Sequence, residues 1–430
     1  MKTLNKWWLL PLFLLLIPRA AFPQESARFN KYTPGEGITV TAPGGHSVNL
    51  RGYVQLQSDS RFYESAEAYH RFRARRARLR LSGQAAGGAL AYRLTADFSE
   101  SLGDEASTLL HDAFITYKPT GSISITLGQG PVATDVRELS ITSNTLAFTD
   151  RSKLSSAFGT IREVGLAIEG DFRVGRDAYL RPELSITDGD GSITSGKRYG
   201  GFKYGARVNF LPLGRFRQAG EFAGTDLVRE ATPRLSVGVA ASYNDGASDR
   251  RGGRGSGEIL YMDADRKYSL PGYGKVVADF LFKYRGLYLL GEYAKTWASV
   301  PGDIVYRVRV DGTLATTFDG GLENYVKGRM MLGSGFNIEA SYLFPAALLA
   351  AGARYTRLSP DENSYMNNTL YYNRNNMYEA SAAKYLSRSH AVKLQASFTW
   401  IDAGDGCRDV RDNVMTGNET MLQCLLQISF

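Results

Sequence analysis

The chain has 430 residues, of which 43% are hydrophobic and 22% charged, and its formal net charge is +8. This ordinary mixture excludes a disordered or collagen-like chain. Two Cys and four His in so long a chain argue against a disulfide scaffold, a zinc module and a multi-histidine metal site. We therefore expect neither a metal nor a cofactor.

The N-terminus has the pattern of a secretory signal peptide. Lys2 and Lys6 precede an apolar stretch of about 11 residues, Trp7–Ile17, and small residues follow from Ala20. Such a stretch is too short to span a bilayer. An exported chain is not expected to bind nucleic acid. We divide the chain into a signal peptide at 1–23 (the cleavage point is approximate), a periplasmic N-terminal segment at 24–46, and one domain at 47–430.

The domain alternates apolar and polar residues with a period of two. Val54 and Leu56 lie on one face of the first segment, and Gln55 and Gln57 lie on the other. This alternation is typical of strands, and no helical period competes over a long window. Similar segments recur along the chain, at 90–98, 163–172, 275–284, 392–400 and 422–430.

One apolar and one charged face fit either a soluble sandwich or a transmembrane barrel. A sandwich packs its apolar face on a core, whereas a barrel turns that face to lipid and the charged face to a watery lumen. The polar faces are charged in strand after strand. The chain also ends on Phe430, within the apolar face of its last strand. Such an end resembles the recognition signal of bacterial outer-membrane barrels, so we expect outer-membrane lipid and lipopolysaccharide around the protein.

The connectors predict the number of strands and their direction. Short and long links alternate, as the periplasmic turns and external loops of bacterial barrels do, except that the link at 212–233 is long where a short one is expected. A first count of about 17 strands breaks the even-number rule. Residues 322–332 alternate least cleanly, so we assign them to a loop. The prediction is an all-β, 16-stranded antiparallel transmembrane β-barrel, with the long loop at 130–162 folded inward.

The strongest candidate site is a pair of arginines in the second strand. Ala77 and Leu79 have the opposite parity to Phe72 and Ala74, so the faces switch at Arg75–Arg76. The switch predicts a β-bulge that turns both guanidinium groups into the lumen. Arginine binds phosphate through paired hydrogen bonds. The alternative is that the pair braces the wall through ion pairs with lumen carboxylates, namely those of Asp97, Asp112, Glu163 and Glu169.

Other arginines extend this candidate anion site. Arg78 and Arg93 are expected to line the lumen, and Arg137 and Arg151 belong to the long loop at 130–162. A further basic cluster lies in the loop at 244–274. The alternative for that cluster is a solvated external loop that binds lipopolysaccharide phosphates. Its members are Arg250, Arg251 and Arg254.

Several segments together resemble the phosphate-selective porin O/P family. They are RFRARRARLRLSG through LAYRLTADFS (71–98), HDAFITYK (111–118), SISITLGQG (122–130), FTDR (148–151) and the closing MLQCLLQISF. The resemblance implies a 16-stranded, trimeric, anion-selective porin, whose characterised relatives take phosphate or pyrophosphate. It implies that Arg75 and Arg76 correspond to binding-site arginines, and that the loop arginines from 250 to 254 attract anions.

The chain also departs from the family pattern. Thr126 stands where the family often has Lys, and Leu139 or Ser140 where it has a loop lysine. His111 replaces an acid before the fourth strand. These changes favour an anion-preferring porin over a phosphate-specific one. A general non-selective porin, and an adhesion or binding component of an uptake complex, stay as alternatives. His111 beside Asp112 is the one pair that suggests catalysis, and we expect no enzyme activity.

Overall fold

The computed structural model describes residues 28–29, 32–99, 110–191, 199–251, 259–369 and 371–430. The expected signal peptide, residues 1–23, lies outside the described residues. Sixteen antiparallel strands form one closed barrel. The first eight are β1 His46–Tyr63, β2 Tyr69–Ala85, β3 Leu90–Asp97, β4 Leu110–Thr120, β5 Ile123–Gly130, β6 Glu163–Gly170, β7 Tyr179–Thr187 and β8 Lys203–Leu211.

The remaining eight strands continue around the barrel in chain order. They are β9 Arg234–Asn244, β10 Gly272–Tyr284, β11 Leu287–Ser299, β12 Gly333–Phe344, β13 Leu349–Pro360, β14 Arg374–Tyr385, β15 Val392–Ala403 and β16 Glu419–Ser429. The last strand pairs with the first, with Leu426 opposite Leu56. Phe430 and Gly52 exchange both backbone hydrogen bonds at 2.8 Å. Closure leaves no unpaired strand edge, so the fold class and the strand number predicted from the sequence are confirmed.

Shorter elements lie outside the barrel ladder. Helix α1 covers Lys153–Phe158 and helix α2 covers Leu322–Lys327. The second of these lies in the segment that the sequence analysis moved into a loop. Among the described residues, no helix is long and apolar enough to cross a membrane. The short strands are Arg28–Phe29, Ile38–Ala42, Phe172–Arg173, Tyr261–Met262, Tyr306–Val308, Leu314–Ala315, Cys407–Arg408 and Val414–Met415.

The two faces of each strand have opposite chemistry, as the alternation predicted. Leu56 on the outer face is 51% exposed, whereas the neighbouring Gln55 and Gln57 are 1% and 2% exposed inside the barrel. The same holds on the far side, where Leu394 faces outward and Lys393 is fully buried. Apolar side chains therefore face lipid, and polar side chains face the lumen.

The long loop after β5, residues 131–162, folds into the lumen and forms much of the packed core. Its apolar side chains Phe148, Leu154 and Phe158 are all at most 1% exposed. The wall donates hydrogen bonds to its backbone. Lys393 Nζ reaches the carbonyl oxygen of Leu146 at 2.9 Å, and Gln395 Nε2 reaches that of Ala147 at 2.6 Å. This inward path is the one that the loop length predicted.

The link at 212–233 is long on the side of the barrel where the other links are short. It meets the inward loop from below: Phe216 packs in the same apolar cluster as Ile141 and Leu146. The amide of Gly224 donates to the carbonyl of Thr145 at 2.9 Å. Its extra length therefore supports the inward loop instead of forming a simple turn.

Candidate anion site at the constriction

The second strand contains the predicted β-bulge. Along the β1–β2 ladder, Gln55 is opposite Arg76 and Leu56 is opposite Ala74, so Arg75 is the extra residue. The bulge changes which residues face inward. Without it, the arginines on one side of position 75 would face lipid, where each costs about 2–4 kcal/mol at the bilayer centre. With it, one strand turns a row of six arginines toward the lumen, Arg71, Arg73, Arg75, Arg76, Arg78 and Arg80.

At the middle of this row, one carboxylate from the inward loop binds both arginines of the bulge. Asp150 Oδ1 accepts from Arg75 Nε at 2.9 Å and from Arg76 Nη2 at 3.0 Å. Its Oδ2 accepts from Gln57 Nε2 at 3.2 Å and from Gln423 Nε2 at 3.1 Å. Burial favours the neutral acid, but Arg75 and Arg76 outweigh it and hold the pKa of Asp150 well below its usual value.

Arg71 and Arg73 extend the row toward the long loops, and sequence analysis did not include them in the site. Both bind the buried carboxylate of Asp59, at 3.2 and 2.9 Å. Their parity could have identified them, because residues 71 and 73 share the face of residue 75 on their side of the bulge. They are part of the same lumen surface as the double arginine.

The next arginines contact the loop and the third strand. Arg78 Nε bonds Asp97 Oδ2 at 2.7 Å, and Arg78 Nη1 reaches Ser143 Oγ at 3.3 Å. Arg151 also donates to Ser143 Oγ, at 2.9 Å, and to the carbonyl of Ile141 at 2.5 Å. Arg75, Arg76, Arg78 and Arg151 therefore form one group around the start and middle of the inward loop.

The opposite end of the row is chemically different. Arg80 faces Arg51 across the β1–β2 ladder, and Arg93 lies on the next strand, opposite Ser82. Within the described part of the chain, no carboxylate lies within ion-pair distance of these three arginines. Arg93 instead stands over the ring of Phe114, 5.2 Å from its centroid. This cluster, named here the open arginine cluster, lies toward the short turns.

A cavity of about 530 Å³ opens above Asp150, toward the long loops. Its wall contains nine cationic and six acidic side chains, so positive charge is in excess. The cations are Arg61, Arg71, Arg73, Arg75, Arg151, Lys153, Arg354, Arg374 and Arg408, and the acids are Asp59, Asp150, Glu379, Asp409, Asp412 and Glu419.

Lys153, at the start of α1, has its amine in this cavity. The amine lies 4.1 Å from the ring centroid of Tyr371. No described carboxylate forms an ion pair with it. Burial, and then the repulsion from Arg61 and Arg374, lowers the pKa of Lys153 to about 7. Lys153 therefore changes charge near neutral pH.

The remaining predicted site residues lie apart from this group. Arg137 is 6% exposed and bonds Asp279 at 2.5 Å and Asn209 at 2.7 Å, so it fastens the loop to the wall. Arg251 donates to the carbonyl of Ser156 at 2.6 Å, at the end of α1. Arg250 stacks over the ring of Tyr365 at 3.9 Å. Arg254 lies outside the described residues.

Three of the four carboxylates expected to brace the wall do form ion pairs. Asp97 binds Arg78, Asp112 binds Arg162 at 2.6 Å, and Glu163 binds Lys203 at 3.1 Å. The double arginine pairs with none of them. Its partner, Asp150, comes from the loop, so the bracing alternative describes the pair with a different carboxylate.

Comparison with known proteins agrees with this geometry. The family model described as phosphate-selective porin O and P matches residues 48–253. The resemblance stated from the sequence is therefore confirmed over that stretch. No curated relative matches the chain. The match and the barrel together point to a channel in the outer membrane rather than to an enzyme.

Solved structures resemble the chain in fold. An anion-selective porin from Comamonas acidovorans is 11% identical, with a TM-score of 0.51 over 90% of this chain and 100% of that one. OprB from Pseudomonas putida is 10% identical, with a TM-score of 0.51 over 90% of this chain and 94% of that one. At such identities the likeness concerns the barrel fold alone.

Proposed function

Because the chain is an outer-membrane porin whose residues 48–253 match phosphate-selective porin O and P, we propose that it passes small anions, phosphate or pyrophosphate among them, by passive diffusion. The observation that carries the proposal is the inward row of six arginines, which continues into the open arginine cluster of Arg51, Arg80 and Arg93. Guanidinium groups can replace part of the hydration of an anion at each step along such a row.

The path has a wide entrance and a narrow middle. An anion first meets the cavity above Asp150, where cations outnumber acids. It then passes the inward loop beside Asp150 and Arg78. Beyond the loop it reaches the open arginine cluster, where free guanidinium donors are available. Binding at each station must stay weak enough for exit, and the acids interspersed in the lumen serve that requirement.

The proposal is tested by the reversal potential in planar bilayers across a KCl gradient. The native protein should prefer chloride to potassium. Replacing two members of the open arginine cluster together, R80Q/R93Q, should lower the permeability ratio several-fold. The control R309Q removes the same kind of charge from an exposed residue of the loop after β11 and should leave the ratio unchanged.

The other outcomes each contradict the proposal in a defined way. Conductance without chloride preference would identify a general porin, whose arginines brace the wall. A folded barrel without conductance would favour the alternative of a binding or adhesion component. Titrating phosphate against the chloride current then tests the finer claim, since a phosphate-taking channel is blocked by phosphate at concentrations that sulfate-free KCl controls do not mimic.

We also propose a homotrimer surrounded by lipopolysaccharide, as the family resemblance implies. The barrel satisfies its own backbone, so assembly would rest on contacts between outer faces. Mass measurement of the detergent-solubilised protein by light scattering tests it: three chains per particle support the trimer, and one chain per particle contradicts it.

A further inference from the structure

Asp150 occupies the position that an anion would take in the double-arginine site. Four hydrogen bonds converge on its carboxylate, from Arg75, Arg76, Gln57 and Gln423, all between 2.9 and 3.2 Å. Arg73 Nη2 is a fifth cationic neighbour, 3.7 Å from Oδ2. All five groups are donors, and they belong to β1, β2 and β16 of the wall. Asp150 alone belongs to the loop.

This donor set suits any compact oxyanion. Two guanidinium groups reach one oxygen and two amides reach the other, which is how proteins hold carboxylate and phosphate. Because a carboxylate is already present, a free anion entering the site would lose its donors to Asp150 or would have to displace it. The wall therefore forms an anion cradle, and the loop supplies its own occupant.

We propose that Asp150 is a tethered competitor, which determines specificity by keeping the cradle filled so that phosphate-type oxyanions bind the native constriction only weakly. The inference rests on the proposed function and adds to it the residue that decides between weak anion preference and phosphate binding. Without Asp150, the charges of Arg75 and Arg76 would have no carboxylate partner, because Asp59 is already bound to Arg71 and Arg73.

The loop does not depend on Asp150 alone for its position. On one side, Thr149 Oγ1 bonds Gln423 Oε1 at 2.9 Å. On the other, the amide of Ser152 bonds Glu138 Oε2 at 2.9 Å. The carbonyls of Leu146 and Ala147 stay bound to Lys393 and Gln395. Removing one carboxylate should therefore empty the cradle while the loop stays in the lumen.

The experiment compares three single variants in planar bilayers by the concentration of inorganic phosphate that halves the chloride current. D150N removes the charge at nearly the same shape, and it should lower that concentration about tenfold or more, the scale of one lost charge-assisted contact. D150E keeps the carboxylate and should behave like the native protein. D311N removes an acidic charge from an exposed loop residue and should have no effect.

Two further measurements keep the result interpretable. Adding R75Q/R76Q to D150N should abolish the stronger block. Single-channel conductance near the native value shows that the loop is still in place. The inference is overturned if D150N conducts like the native protein and its phosphate block is unchanged, or if D150E strengthens the block as much as D150N does. Failure of the proposed function would appear separately, as absence of chloride preference in the native protein.

Discussion

The two ends of the arginine row differ in pairing although they share one strand. Toward the long loops, Arg71, Arg73, Arg75 and Arg76 are all bound to Asp59 or Asp150. Toward the short turns, the open arginine cluster has no described carboxylate within ion-pair distance. The same residue type is therefore a brace at one end and a free cation at the other. The difference teaches that the carboxylates, rather than the arginines, decide where an anion can bind.

The first and largest expected effect comes from releasing the loop, which would make the two ends alike. Glu138 is 1% exposed, accepts from Ser152 and Ser155, and forms an ion pair with Arg354 at 3.2 Å. E138A should lower the free energy of unfolding by about 3–5 kcal/mol, because it leaves a buried cation and loop donors without their partner. Single-channel conductance should also rise as the loop leaves the lumen.

Thermal unfolding in detergent and single-channel recording measure the two effects of E138A. The matched control is E323A, which removes an exposed glutamate from α2 that pairs with Lys327. That change should alter neither quantity appreciably, since exposed ion pairs contribute little. Native stability and conductance in E138A would show that other contacts suffice to hold the loop.

A second, intermediate effect is expected from adding a carboxylate to the open arginine cluster. Thr95 is buried in the lumen directly opposite Arg80. T95D should place an acid beside Arg80, as Asp59 stands beside Arg71, and should reduce the chloride-to-potassium permeability ratio several-fold. T95N has the same shape without the charge. A ratio that falls equally in T95N would mean that shape, not pairing, distinguishes the two ends.

The smallest effect concerns pH and Lys153. Because the pKa of this amine is lowered to about 7, it is protonated at pH 6 and mostly neutral at pH 8. The groups that act on it are Arg61, Arg374 and Arg251, which repel its charge, and Glu419, which attracts it. Chloride preference should therefore be up to about twofold higher at pH 6 than at pH 8.

Two substitutions at position 153 separate this effect from other titrations. K153R keeps its charge at both pH values, so its chloride preference should stay at the higher level throughout. K153M should stay at the lower level. A pH dependence that persists in K153M would assign the titration to another group and remove Lys153 from the comparison.

Much of the barrel could be predicted from local patterns. Alternation of period two marks strands and faces without knowledge of their neighbours, since successive side chains must point to opposite sides of a strand. The parity change at Arg75–Arg76 predicted the bulge for the same reason. Connector lengths identified the inward loop, the unusual link at 212–233 and the loop nature of residues 322–332.

The pairing of the arginines could not be predicted in this way. Asp150 is about 75 positions along the chain from the arginines that it binds, and nothing in the FTDR segment indicates which wall it approaches. The partner depends on the path of a loop without strand periodicity. That path follows from apolar packing and from wall donors such as Lys393 and Gln395, which belong to the opposite end of the sequence.

The sequence by itself therefore determined the number of strands, the face of each residue and the presence of an arginine row in the lumen, because these follow from the geometry of an extended chain. Only the tertiary structure decided which arginines are neutralised and which remain available to an anion. Electrostatic pairing acts over a few ångströms of space, and closing the barrel and folding the loop inward are what bring distant charges within that distance.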